Sequence, residues 1–244
     1  FPYTTLFRSG YEPKSWKQAY KKKSIIEPGL YFPKNNPLFT CDSGTLRIEN
    51  LSLEDPNNIT TVILQVNGGE LYLEASEINP SITSNRIPFQ QKGGSVTISN
   101  SLFSMQNSNL PCFIESDGGK ITIRNSEISF GSNKTNSSIL IIEDGLGNIT
   151  NSIFRGTNGN TITNCEFINS DVTVENTNIK TGMGETRSIG ISSLGGRLNI
   201  KKSSITGNSA SRIVFGIQAE KSEISFFDST IDLTADRGST ALHT

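Results

Sequence analysis

A single histidine, a single tryptophan and two methionines among 244 residues remove several kinds of chemistry at once. His243 is the only imidazole, and no Cys/His cluster has metal-ligand spacing, so a zinc site has nothing to use. Three cysteines, Cys41, Cys112 and Cys165, are an odd number spread far apart, which is not a disulfide framework. No run of eighteen apolar residues occurs, so no helical membrane span is expected. A formal net charge of -1 gives no general attraction to nucleic acid or to an anionic membrane. The one basic cluster, Lys14, Lys17 and Lys21 to Lys23, reads as a solvated face. Long amphipathic helical patterns are also scarce, which argues against a helical core.

What the chain has instead is a period. An apolar residue is followed five positions later by another at Ile48/Leu53, Leu73/Ile78, Ile98/Phe103, Ile123/Ile128, Ile149/Phe154, Val174/Ile179, Ile200/Ile205 and Phe226/Ile231, and successive pairs lie 25 or 26 residues apart. Ile162/Phe167 falls midway through its repeat. A unit this short cannot bury its apolar face alone, so neighbouring copies must stack and share one core. Within each unit, alternation such as Val96-Thr97-Ile98 has the period of a half-buried strand. Two residues beyond the inward position stand Asn50, Asn100, Asn125, Asn151 and Asn176, with Ala75, Lys202 and Asp228 as departures. Asn tolerates the left-handed conformation of a tight bend, and stacked amides can form a ladder from coil to coil. A column of Ser76, Ser101, Ser126, Ser152, Thr177, Ser203 and Ser229 follows, small and polar as a crowded corner requires. A third apolar group, including Phe89, Ile114 and Ile191, supplies another wall, and pairs such as Gly93/Gly94 turn the chain into the next coil.

Three walls, bends between them and a constant period describe a parallel β-helix, and the pattern resembles the pectin-lyase-like β-helix family. The Asn column and the opening stretch Ile25-Ile26-Glu27-Pro28-Gly29-Leu30-Tyr31 carry the resemblance. It implies an all-β, single-stranded, right-handed solenoid of about eight coils of about 25 residues, with three strands per coil. A short capping helix is expected over Ser15 to Tyr20, with Trp16 and Tyr20 covering the first coil. The Gly-Gly turns are similar in part to polymorphic outer-membrane and autotransporter passenger repeats. Their next residue, however, is Glu70, Ser95, Lys120 or Arg197 where those repeats carry Ala, and the Phe-x-x-Asn motif is out of register.

The domain reading is 1–9, a segment foreign to the fold; 10–23, an N-terminal cap; and 24–244, the β-helix, truncated at its C-terminal end. The first segment, Phe1 to Ser9, matches the conceptual translation of a sequencing adaptor and is expected to pack against nothing. Coil stacking at about 4.8 Å puts Cys41 and Cys112 on the order of 14 Å apart, so free buried thiols are expected.

Enzymes of the resembled family place catalytic groups on outward columns. The central column after the Gly-Gly turn reads Arg47, Tyr72, Thr97, Thr122, Asn148, Thr173, Asn199 and Ser225 and holds no carboxylate. The remaining catalytic candidates are Glu49 and Glu74 with Arg47 beside them: two carboxylates about 5 Å apart can share a calcium ion or act as the pair of a retaining glycosidase. Asp171, Arg197 and Glu223 recur at the coil spacing, as do Glu175 and Lys201, and are expected to stack with opposite signs. Asn58, Asn133, Asn136 and Asn148 match the glycosylation acceptor pattern, which an Asn/Ser/Thr-rich chain also produces by chance.

These readings favour a secreted or cell-surface solenoid for adhesion, display or glycan binding without catalysis. It would be a monomer, without an obligatory cofactor, with an extracellular glycan or a neighbouring cell surface as partner. The alternative is a carbohydrate-active β-helix enzyme, a lyase or glycoside hydrolase, whose catalytic coils are degenerate or lie elsewhere.

Overall fold

The computed structural model describes residues 37–55, 62–80, 87–133, 136–207, 212–235 and 237–244, together with the backbone of 4–8 and 24–26. It is a parallel β-solenoid of about seven turns, and no helix occurs among the described residues. The first wall stacks Thr45–Glu49, Glu70–Glu74, Ser95–Ser99, Lys120–Arg124 and Leu146–Thr150 in parallel register, continues through residues 171–175 and 197–201, and ends at Glu223–Phe227. The second wall runs from Leu51–Asp55 to Thr230–Leu233 as a separate sheet. The third runs from Phe39–Cys41 to Gly238–His243 and joins the first through the long strands Asn158–Glu175 and Met183–Lys201. The 25- and 26-residue period is therefore one circuit of the core.

Each wall alternates because each strand has one face inside. Ile98, Ile123, Val174 and Ile200 on the first wall and Phe103, Ile128, Phe154 and Ile179 on the second are fully buried, so the apolar pair five residues apart flanks one bend and points inward from both walls. At that bend Asn50, Asn100, Asn125, Asn151 and Asn176 have φ between 48° and 57°. The departures Ala75, Lys202 and Asp228 adopt the same left-handed conformation, at 50°, 47° and 47°. Backbone geometry is thus common to the column whatever the side chain. Two amide-to-amide bonds link its members: Asn125 Nδ2 donates to Asn100 Oδ1 (3.3 Å) and Asn176 Nδ2 to Asn151 Oδ1 (2.6 Å). All four of these amides are exposed.

The continuous ladder is the next column. Ser101, Ser126, Ser152, Thr177 and Ser203 are buried, and each hydroxyl donates to the carbonyl two residues before it, at 2.7 to 2.9 Å. Each also accepts the backbone N–H of the preceding coil's counterpart, at 3.1 to 3.4 Å, from Ser76 through to Thr177. The series extends to Leu51 N–H on Ser76 Oγ (3.2 Å) and Ser203 N–H on Ser229 Oγ (3.0 Å). A bend removes the backbone from the ordinary strand ladder, and a hydroxyl, which donates and accepts at once, restores both bonds.

The bend between the third and first walls needs glycine for a different reason. Gly69 and Gly119 sit at φ of 70° and 77°, and a Cβ on either would lie 2.5 Å from the carbonyl oxygen of the glycine one coil below. Just inside, the buried Gln91 directs Nε2 at the carbonyls of Gly93, Gly94 and Lys120, each at 3.2 Å, and its Oε1 accepts from Ser116 Oγ at 2.9 Å. The core changes character along the axis. Phe89, Phe103, Phe113 and Phe130 form a chain of tilted rings with centroids 5.6 to 6.4 Å apart. Farther on, Gly156 leaves room for the fully buried Asn164, whose Nδ2 bonds the carbonyls of Lys180 (2.7 Å) and Phe154 (3.3 Å). On the last coil the inward-column residues Phe226 and Leu242 are exposed, because no described coil lies over them, and Phe227 is exposed on the outward column.

One expectation is corrected. Thr4–Arg8 does not stand apart: its backbone pairs in parallel with Thr45–Glu49, Thr4 opposite Thr45 and Arg8 opposite Glu49. An unpaired strand edge is a ready template, and this segment's backbone supplies the partner. Ser24–Ile26 likewise pairs with the start of Leu51–Asp55. The capping helix expected over Ser15 to Tyr20 lies outside the described residues. All three cysteines are free and buried.

The two ladders predict different mutational costs. Ser126→Ala leaves the buried Ser101 N–H without its acceptor and should cost about 1–3 kcal/mol in urea melts. Asn125→Gly keeps the left-handed bend and loses only an exposed amide bond, a change of about 1 kcal/mol or less. Asn125→Leu, which must hold a branched side chain at positive φ, should cost about 1–3 kcal/mol. Equal losses for the glycine and leucine variants would show that the amide, not the conformation, is what the column contributes.

Candidate functional site

The outward column of the first wall is assembled as a continuous row, Arg47, Tyr72, Thr97, Thr122, Asn148, Thr173, Asn199 and Ser225 in register across eight strands. Glu49 stands opposite Glu74 on adjacent strands of the same wall. The Arg47 guanidinium lies over the Tyr72 ring, 5.0 Å from the centroid. Among the described residues no three His, Cys, Asp or Glu side chains converge on a point where a metal ion would sit. Two carboxylates supply well under the six to eight oxygens that calcium takes.

The third wall carries a second carboxylate pair that reading the first wall alone overlooks. Its outward column stacks Gln65, Gln90, Glu115, Ile141 and Glu166. Gln90 Nε2 donates to Glu115 (2.9 Å), and Ser138 Oγ donates to Glu166 (2.8 Å). With one coil between them, the two glutamates are roughly 10 Å apart, at the outer limit for an inverting glycosidase pair. The signal was present in the sequence as the spacing of Gln90, Glu115 and Glu166, but which strand faces which groove depends on the wall. Beside them, burial pushes the Cys112 thiol up, and the negative charges of Glu115 and Glu166 push it further. Burial likewise raises Cys165 and Cys41. All three are neutral thiols near pH 7 and poor nucleophiles.

The charge column of Asp171, Arg197 and Glu223 stacks in register. Arg197 holds Asp171 with two bonds, Nη2–Oδ2 at 2.5 Å and Nε–Oδ1 at 3.2 Å. Hydrogen bonding to Arg197 keeps the Asp171 carboxyl below its ordinary range, and Asp171, then Glu223, raises the guanidinium. Glu175 and Lys201 are also in register, yet no ion pair joins them. Arg155 and Glu127 make a further pair at 2.7 Å across the second wall.

Polar grooves mark the surface formed by the described residues, three of them well defined. One of roughly 410 Å³ follows the left-handed bend between the first and second walls, with Asn151, Asn176, Lys202 and Asp228 along one rim. A second, of roughly 480 Å³, gathers Asn133, Asn158, Asn160, Met183 and Glu185 at the corner between the second and third walls. A third, of roughly 510 Å³, lies among Lys180, Thr206, Asp232 and Thr234 at the end of the second wall. Amides and hydroxyls predominate in all three. Of the glycosylation-pattern residues, Asn133, Asn136 and Asn148 are exposed, and Asn58 lies outside the described residues.

Compared with protein-family models, with curated proteins and with solved structures, the chain gives no match to any of them. The β-helix assignment therefore stands on the repeat and on the strand register alone.

The Asp171–Arg197 pair gives a pH prediction. A lowered folded pKa contributes stability above the unfolded value of roughly 3.9, and this is lost as pH falls through the folded pKa. Carboxyl-carbon NMR should place the Asp171 midpoint below that value, and Arg197→Gln should move it back up. An unchanged midpoint in the variant would dissociate the pair in solution.

Proposed function

We propose that this chain is a non-catalytic β-helix surface that engages glycans outside the cell, in adhesion or display, as a monomer related in architecture to the pectin-lyase-like proteins. The observation that carries the reading is the chemistry of the outward columns. They present hydroxyls and amides over successive coils, and among the described residues no three His, Cys, Asp or Glu side chains gather as a metal site would require. Asn, Ser and Thr side chains both donate and accept, which suits polyhydroxylated ligands, and a near-zero net charge favours no polyelectrolyte.

A carbohydrate-active enzyme is the second reading, and the Glu115/Glu166 pair is what favours it. General acid–base work on a glycosidic bond needs one carboxyl group at the leaving oxygen and a second on the opposite face of the sugar ring. Glu49 and Glu74 offer the closer spacing and Glu115 and Glu166 the wider one.

The test is a panel of neutral and acidic polysaccharides scored in parallel for retention of the protein and for reducing ends or unsaturated products, with and without calcium. Retention without turnover is expected. Turnover abolished by Glu49→Gln and Glu74→Gln, or by Glu115→Gln and Glu166→Gln, would replace the binding reading with a hydrolase or lyase centred on that pair.

A further inference from the structure

Resting on the glycan-binding reading, we infer that the groove along the bend between the first and second walls is a subsite for a neutral, linear oligosaccharide lying parallel to the solenoid axis. The groove crosses four coils, and each contributes the same two positions. The left-handed bend residue forms one rim, as Asn151, Asn176, Lys202 and Asp228. The first outward residue of the second wall forms the other, as Ile153, Asn178, Ser204 and Thr230. The buried Ser/Thr ladder is the floor, and its hydroxyls are already committed to backbone groups. Ligand contacts therefore fall to the rims.

Two features set these coils apart from the earlier bends. The amide column gives way to Lys202 and then Asp228, adjacent in the stack and both exposed, and no ion pair within 4.0 Å holds either one among the described residues. One cation and one anion side by side leave the rim without net charge, which favours a neutral ligand over a uronate chain. Midway along the groove, Asn178 Oδ1 is shielded from solvent and has no donor. The last torsion of an Asn side chain is broad and roughly two-fold, so a half-turn presents that oxygen to a ligand hydroxyl. Coils rise by about 4.8 Å, close to one pyranose unit of an extended chain, so a linear glycan meets the same two repeat positions at each sugar.

The experiment titrates the full chain with neutral β-linked gluco-, manno-, xylo- and N-acetylglucosamine oligosaccharides of two to six units, by calorimetry and ligand-observed NMR. Affinity for at least one series should rise with length and level off near four units, one per coil. Ser204→Trp fills the groove from a half-buried outward position and should weaken binding by roughly tenfold or more, about 1.4 kcal/mol, with an unchanged melting temperature. Leu146→Trp, an exposed apolar position at the far edge of the first wall and outside the groove, should bind as the parent does. If the tryptophan at position 204 disturbs folding, Lys202→Asn, which keeps a residue suited to the left-handed bend, should still weaken binding severalfold. Binding that persists undiminished in the groove variants would overturn this site and leave glycan binding standing elsewhere on the solenoid. No binding to any oligosaccharide, and no retention by any polysaccharide, would remove the site and the broader reading together.

Discussion

The left-handed bend between the first and second walls is the constraint on which the rest of the solenoid depends. Two strands can share a core across one bend only if the chain turns sharply and then runs on in register with the coil below. Positive φ at one residue makes the turn, and the hydroxyl of the next residue, with that of its counterpart in the neighbouring coil, repairs the hydrogen bonds the turn would break. Because that hydroxyl accepts from the neighbouring coil, the repair is also a link between coils. A coil slipped by one residue would lose this bond and turn its apolar pair toward water. The same column thus sets local geometry and global register.

The interior meets this constraint with different residues at different heights. Aromatic rings fill the early coils, and glycines with a buried amide occupy the later ones. A circuit of constant length encloses a nearly constant space, so volume lost at one wall must be made up from another. Asn164 fills such a space and ties two second-wall strands through their carbonyls. Gln91 does comparable work at the glycine bend, where three carbonyls converge on one amide.

The surface follows from the same stacking. Any residue type repeated at the coil period becomes a row, so polar repeats become strips of hydroxyls and amides, and opposite charges at the period become an ion-pair ladder such as Asp171 with Arg197. Rows of this kind suit extended ligands more readily than a compact reaction centre, which needs unlike groups to converge. The two carboxylate pairs are products of stacking in this sense. Grooves appear where the corners interrupt the walls, and their linings are polar because the corners carry Asn, Ser and Thr.

Much of this was legible in the sequence, because a period of 25 or 26 residues with one apolar pair per repeat permits few arrangements. The bend column was readable even through its departures: Ala75, Lys202 and Asp228 hold the same φ as the asparagines, since position in the repeat and not side-chain preference dictates the backbone. The role of the serine column was not readable, because a small polar residue at a corner looks the same whether it merely fits or carries a hydrogen-bond ladder. Nor was the pairing of Thr4–Arg8 with the first coil, which no repeat announces. By itself the sequence determined period, wall number, inward residues and the conformation of the bends, all of which follow from hydrophobic burial and local backbone preference. Only the tertiary structure decided which outward columns face one another, which amides find partners and where grooves open, because these depend on how three walls close around one core.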